Sequence, residues 1–251
     1  MIASERRRFI LTGLNEKGII GLKETARELG TSEITIRRDF EKLEKEGKLK
    51  RVQGGAALED SLNGADGAEL TMSKKIPLNQ REKEKIAKYA ADQVPDGACV
   101  FVDGGTTMLP LMNFLAQKRI TIVTYSTLAL GKLINPLAEI IVIGGKYLPY
   151  YNMNVGLLAQ DMLSKFFFDI AFIGCASVDL MQKAVYLSEI EGQQIKRIAM
   201  ECAKKSYLLA DASKLGKRGF FKLEDFTAFE AIICDEIDSD MKFPDNMIML
   251  K

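Results

Sequence analysis

Histidine is absent from this 251-residue chain. That absence excludes Ser-His-Asp and Cys-His catalysis and removes the commonest metal ligand, so no catalytic residue, metal or cofactor is expected. Carboxylates and lysines could still move protons, which leaves an enzyme disfavoured rather than forbidden. Cysteine is scarce. Cys99, Cys175, Cys202 and Cys234 lie far apart, none forms a C-x-x-C pair, and at least three sit in apolar runs, so they read as buried reduced thiols. Long apolar runs are missing, and Met1 to Arg8 leads into a polar helix without the apolar stretch of a signal peptide. The expected location is the cytoplasm, with no membrane partner. There is no internal repeat and no low-complexity tract.

What is present suits one large or two modest globular domains, since 47% of the residues are hydrophobic and 27% charged. The net charge of +1 conceals an asymmetry: residues 1–58 hold thirteen Lys/Arg against nine Asp/Glu, or +4, and the remainder is −3. The basic end is the one to suspect of touching phosphate.

Three short helical patterns open the chain. Phe9, Ile10, Gly13 and Leu14 form one apolar face behind Ser4 as a cap, and Gly18 ends the unit. Leu22, Ala26 and Leu29 define two helical turns stopped by Gly30. Thr31-Ser32 then caps a helix from about Glu33 to Glu46, whose apolar positions Ile36, Phe40 and Leu43 follow i, i+4, i+7. Two helices joined by a tight glycine-containing turn are the helix-turn-helix arrangement. Leu49 to Val52 reads as a short basic strand, and Gly54-Gly55 as a hairpin turn back into Ala56-Ala57-Leu58, which makes a wing. The spacing therefore predicts a winged helix-turn-helix DNA-binding domain over residues 1–58, an exposed linker over 59–76, and a second domain over 77–251.

From Pro77 the texture alternates. A charged helix from about Gln80 to Val94 precedes the apolar strand Ala98 to Asp103. Strand Ile120 to Tyr125, helix Ser126 to Ile134, strand Glu139 to Ile143, a helix near Val155 to Leu163 and strand Ile170 to Gly174 follow. A long helix from Glu191 to Lys205 leads to strands Tyr207 to Ala210 and Ala231 to Cys234. Continuous apolar strands separated by helices imply an α/β domain with a mostly parallel, doubly wound sheet.

On the Glu33–Glu46 helix, Ile36, Phe40 and Leu43 point one way. Ile34, Arg38, Glu41 and Lys45 take the opposite pole, with Thr35 and Arg37 on the flanks. Arginine can make a bidentate contact to guanine, threonine can bond a base or a phosphate, and an exposed isoleucine suits a thymine methyl. Ser32 and the first helical N–H groups are placed to hold a phosphate oxygen. The bland alternative is a solvated charged face. Ser32-Glu33-Ile34-Thr35-Ile36-Arg37-Arg38-Asp39-Phe40-Glu41-Lys42-Leu43, followed by Gly47-Lys48-Leu49-Lys50-Arg51-Val52-Gln53-Gly54-Gly55-Ala56, resembles the DeoR family of bacterial repressors. Phe40 departs from the usual leucine and Gln53 from a common wing histidine. The resemblance implies that Thr35, Arg37 and Arg38 touch bases or phosphates, and that Lys50 and Arg51 hold the flanking backbone.

Asp103-Gly104-Gly105-Thr106-Thr107 falls where a strand passes into a helix, at the carboxyl end of a parallel sheet, where such folds bind ligands. Glycines let backbone N–H groups approach an anion and the hydroxyls add donors. By itself the loop is neither G-x-G-x-x-G nor a Walker loop, and a tight structural turn is the commoner reading. The resemblance extends over the chain, through Gln80-Arg81, Lys85-Ile86-Ala87, Gly144-Gly145, Phe172-Ile173-Gly174 and Asp211-Ala212-Ser213-Lys214. It implies an effector domain similar in fold to ribose-phosphate isomerase, in which Gly105, Thr106 and Thr107 hold the phosphate of a sugar and Lys214 lies beside the same pocket. Tyr125, Leu148 and Gly174-Cys175-Ala176-Ser177 depart from the family, removing polar groups at the sugar end and adding aromatic surface from Tyr125, Tyr147, Tyr150 and Tyr151.

The chain thus reads as a repressor of a carbohydrate-metabolism operon. Its expected partners are operator DNA, a phosphorylated sugar or similar anionic metabolite, and further copies of itself in a homodimer or homotetramer. One rival is a sugar-phosphate isomerase with a DNA-binding appendage, for which Asp179, Glu189 and Glu191 are candidate proton carriers although the isomerase's own motifs are missing. Another is a general DNA-coating protein, against which the modest +4 of the reader argues.

Overall fold

The computed structural model describes residues 3–17, 19–46, 48–52, 55–57, 72–236 and 243–250. The chain separates into two compact units, Met1–Thr71 and Met72–Lys251. Among the described residues no helix is long and apolar enough to cross a membrane.

The first unit holds α1 (Ala3–Lys17), β1 (Ile19–Gly21), α2 (Leu22–Glu28), α3 (Glu33–Lys45), β2 (Lys50–Val52) and β3 (Gly55–Ala57). Ile10 and Leu14 of α1 pack with Ala26, Ile36, Phe40, Leu43, Leu49 and Ala56 into one core. Gly30 ends α2 at φ +58°. There Thr31 N–H returns to Ala26 O at 3.0 Å and Gly30 N–H to Arg27 O at 3.2 Å, a Schellman closure that only a residue tolerant of the left-handed region makes cheaply. Two details differ from the sequence reading. Ser4 lies inside α1 rather than ahead of it as a cap. Gly55 is a strand residue, since β3 is sandwiched antiparallel between β1 and β2. A Cβ on Gly55 would stand 2.2 Å from the Ile20 carbonyl oxygen, so the glycine is required by close backbone approach and not by the turn. The tip at Gln53-Gly54 and the stops at Gly18 and Gly47 lie outside the described residues.

The second unit is built on a parallel sheet of seven described strands: β4 (Cys99–Val102), β5 (Thr121–Thr124), β6 (Glu139–Val142), β9 (Phe168–Gly174), β12 (Ala203–Leu209), β14 (Ala231–Asp235) and β15 (Met247–Leu250). Their spatial order is β15-β14-β12-β9-β4-β5-β6. The chain winds outward from β4 to β6, then restarts at β9 on the other side of β4. The β4–β9 boundary is therefore the topological switch point, where a crevice opens at the strands' carboxyl ends. Apolar clusters cover both faces. One includes α5 (Gln80–Asp92) and α6 (Met108–Leu115), and the other α7 (Leu157–Leu163) and α8 (Gln193–Glu201). A hairpin of β7 (Lys146–Leu148) and β8 (Met153–Val155) and a small antiparallel sheet of β10 (Ser177–Asp179), β11 (Ala184–Leu187) and β13 (Phe221–Asp225) complete the unit.

Three expected elements take another form. The helix foreseen over Ser126–Ile134 is an irregular segment with one 3-10 turn, Leu130–Lys132. Thr127 N–H donates to Asn152 O at 2.8 Å and Ser126 bridges Met153, so these residues bond sideways to β8 instead of along a helix. The helix foreseen over Glu191–Lys205 spans only Gln193–Glu201, because Ala203 and Lys205 pair with Phe168 and Ile170 of β9 and begin a strand. The end of the foreseen linker is ordered as α4 (Met72–Lys75), with Met72 buried in the core of the second unit. Residues 59–71 of that linker lie outside the described residues.

Candidate functional site

The DNA-facing candidate is α3. Ser32 caps it, accepting from Thr35 N–H at 3.2 Å and sharing a 2.9 Å hydrogen bond with the Thr35 hydroxyl. The apolar period buries Ile36, Phe40 and Leu43, which drives Arg37 and Arg38 outward and leaves Ile34 66% exposed. Asp39 turns inward and pairs with Arg6 of α1 at 2.5 Å, so one carboxylate beside the two arginines is withdrawn from their face. No sequence period marked that pair, because an aspartate on an apolar flank signals nothing until its cation is found 33 residues away. Arg51 is engaged by α3: its Nε donates to Glu44 at 2.8 Å, its Nη1 to Glu41 at 3.0 Å, and its backbone N–H to Glu44 at 3.0 Å. The backbone N–H of Arg51, then its side chain, hold the Glu44 carboxyl below the usual range. Lys50 opens β2, and its side chain lies outside the described set.

The effector-facing candidate sits at the switch point. Asp103 follows β4, is 1% exposed, and accepts from the Tyr125 hydroxyl at 2.6 Å, from Gly174 N–H at 2.7 Å and from the Lys196 ammonium. Both its oxygens are thus spent on the protein, and the carboxylate ties the ends of β4 and β9 together. Lys196 also donates to Gly174 O at 3.3 Å. Gly104 is crowded by Met153, whose Cε would stand 2.7 Å from an added Cβ. Gly105 has open space above it and lines a small cleft with Asp103, Met108, Leu109, Thr124 and Ser126. Thr107 precedes α6 and is 1% exposed, and its hydroxyl is a buried polar atom without a hydrogen-bond partner among the described residues. Thr106 is 9% exposed beside it.

Lys214 lies in the Ala212–Lys214 turn with Nζ 3.9 Å from Asp211. Asp211 also accepts from Asn79 at 2.8 Å and from the Ser213 hydroxyl. Burial alone would raise the Asp211 carboxyl, but Lys214, Ser213 and Asn79 outweigh it and hold the group low. Burial raises the Cys175 thiol, against the opposing pull of Lys214 and Lys196. Lys196 escaped the sequence reading. It shares the buried side of α8 with Ile195 and Ala199, and a lysine set beside an apolar stripe was the available signal. Tyr125 is fully buried rather than pocket surface, while Tyr147 is 46% exposed with its hydroxyl on Asn152.

The first two candidate proton carriers are both engaged by backbone N–H groups. Asp179 accepts from Met181 and Gln182 N–H groups at 3.0 Å and closes a turn. Glu189 accepts from Gly192 N–H at 2.6 Å, and burial raises its pKa against the pull of Lys196. Glu191 is exposed.

The model of the DeoR-like helix-turn-helix domain matches residues 6–62, and that of the DeoR C terminal sensor domain matches residues 78–236. The HTH-type transcriptional regulator YgbI of Escherichia coli is 31% identical, over 94% of this chain and 91% of its own. The lactose phosphotransferase system repressor of Staphylococcus epidermidis is 28% identical over 91% and 90%. The L-fucose operon activator of Haemophilus influenzae is 29% identical over 96% and 94%. Among solved structures, ribose 5-phosphate isomerase A of Methanocaldococcus jannaschii aligns over 55% of each chain at 22% identity, with a TM-score of 0.39.

Proposed function

We propose, from the premise that this chain belongs to the DeoR family of DNA-binding transcriptional regulators, that it represses a carbohydrate-metabolism operon. Release from the operator follows when a phosphorylated sugar or related anionic metabolite enters the crevice at the ends of β4 and β9. The observation that carries the effector half is the Thr107 hydroxyl, a buried donor without an acceptor at the start of α6. Leaving such a group unpaired costs about 1–3 kcal/mol, and an anion at a helix N-terminus removes that cost. Gly105 leaves room above the loop, and Thr106 and Lys214 are proposed as further donors to the same phosphate. Relatives named for lactose and L-fucose systems support carbohydrate as the regulated chemistry. A reader that occupies a promoter represses by exclusion alone, whereas activation needs an added surface for the transcription machinery, so repression asks for less.

Arg37, Arg38 and Ile34 read the major groove, and Ser32 and Thr35 with the first N–H groups of α3 meet a phosphate. A single short recognition helix has limited reach. The working form is therefore a cytoplasmic homodimer or homotetramer on paired half-sites.

Calorimetry of the full chain against a panel of phosphosugars and inorganic phosphate, with a gel shift on the promoter of its own operon, tests both halves. Binding of a phosphosugar that releases the promoter is expected. No heat across the panel from a folded chain would remove the sugar-phosphate reading. Failure to prefer the promoter over random duplex at low salt would remove the operator reading.

A further inference from the structure

The family resemblance puts Arg51 on the DNA backbone, yet its guanidinium already has two carboxylate partners on α3. Glu44 grips it twice, taking the Nε with one oxygen at 2.8 Å and the backbone N–H with the other at 3.0 Å. Glu41 takes Nη1 at 3.0 Å. Arg51 pairs with Ala56 across β2 and β3, and β2 is an edge strand, so the N–H that Glu44 accepts is the one facing away from the sheet. The carboxylate therefore fixes the strand as well as the side chain. Glu41 continues the outward stripe of Ile34 and Arg38, at i+7 and i+3, and Glu44 follows at the next i+3. Bare carboxylates in those positions would face the phosphates of any duplex that α3 enters.

We infer that Arg51 is a positioning residue for DNA recognition: it latches the wing hairpin to α3 through Glu44 and neutralises Glu41 and Glu44 there, instead of holding a phosphate itself. The inference rests on the DNA-binding reading and revises one role within it.

The two roles predict opposite signs for one substitution. Glu44→Ala removes a negative charge from the reader and frees Arg51. If Arg51 is a phosphate contact, affinity for DNA rises and the slope of log affinity against log salt steepens by about one phosphate contact. If Arg51 is a latch, Glu44→Ala loosens the wing and operator affinity falls by about three- to tenfold, the net worth of one ordinary solvent-exposed hydrogen bond. Glu44→Gln separates charge from geometry, because it removes the same charge yet keeps an oxygen for the Arg51 N–H. The latch predicts that Glu44→Gln stays within about twofold of the parent, and that Arg51→Ala combined with Glu44→Ala is no weaker than Arg51→Ala alone.

Fluorescence anisotropy with the full chain on its own promoter fragment and on a random duplex, at several salt concentrations, reads all of these. Thermal melts check that each reader is folded. Wild-type preference for the promoter tests the DNA reading, and the spread among variants tests the latch. Tighter binding by both Glu44 variants, or additive losses in the double variant, would overturn it.

Discussion

Replacing Lys196 by methionine tests whether the crevice is organised around a buried ion pair. Methionine keeps the unbranched stem and removes the ammonium, leaving Asp103 at 1% exposure with two neutral donors, the Tyr125 hydroxyl at 2.6 Å and Gly174 N–H at 2.7 Å. Breaking a buried pair from one side costs about 3–5 kcal/mol, since the surviving charge is left without its partner. The two remaining donors keep the loss toward the lower end, about 3 kcal/mol. For a unit the size of Met72–Lys251 each kcal/mol moves the midpoint by about 2–4 °C, so the sensor transition should fall by roughly 6–12 °C. Differential scanning calorimetry of the full chain would resolve it. Lys196→Met combined with Asp103→Asn removes both charges and should recover much of the loss, because the amide oxygen can still accept from Gly174 N–H while its NH2 donates to the Tyr125 hydroxyl oxygen. A single-variant drop below about 2 °C, or a double variant as unstable as the sum of the singles, would refute the pairing as the organising contact.

The remaining predictions concern the same two sites. Thr107→Val removes a hydroxyl that has no partner among the described residues, so the melting point should hold or rise while affinity for the proposed phosphosugar falls about tenfold by calorimetry. Lost stability would mean that the hydroxyl is satisfied internally. Arg38→Ala should weaken operator binding by about 1–3 kcal/mol if it reads a base edge, and an equal loss on random duplex would assign it to phosphate instead. Glu189 has its carboxyl raised by burial, so its contribution to stability is full below the ordinary glutamate range and is lost as pH rises through the raised value. Glu189→Gln should therefore gain on the parent as pH climbs from about 4.5 toward neutrality, and parallel melting curves for the two chains would contradict that sign.

Much of the reader was legible because local and long-range preferences agree there. The i, i+4, i+7 period of Ile36, Phe40 and Leu43 and the Ser32 cap both specify α3, and the apolar runs that became β4, β5 and β9 needed only a neighbour on each side. Illegible parts are those whose fate is decided by a distant partner. Ser126 and Thr127 favour a helix by spacing until Asn152 and Met153 offer them bonds. Ala203 and Lys205 look like the end of α8 until β9 supplies a ladder. Gly55 passes for a turn residue until the Ile20 carbonyl is seen beneath it. The Asp103–Thr107 loop shows the same division, since its glycines and threonines stand together in the sequence while Lys196, 93 residues from Asp103, carries the charge paired with it.

If Arg51 is the proposed latch, motif transfer fails in a related way there. A motif specifies a residue type at a position, and its assumed partner is whatever that residue meets elsewhere. Here the chain carries its own competitors for the guanidinium at Glu41 and Glu44, one helical turn apart on α3. A phosphate must displace both carboxylates before it can claim the arginine, and the exchange leaves them facing the DNA. One attraction to phosphate would then be set against the repulsion of two bared carboxylates. The proposed latch thus assigns Arg51 to the architecture of the reader and leaves the exposed Arg38 as the arginine available for DNA.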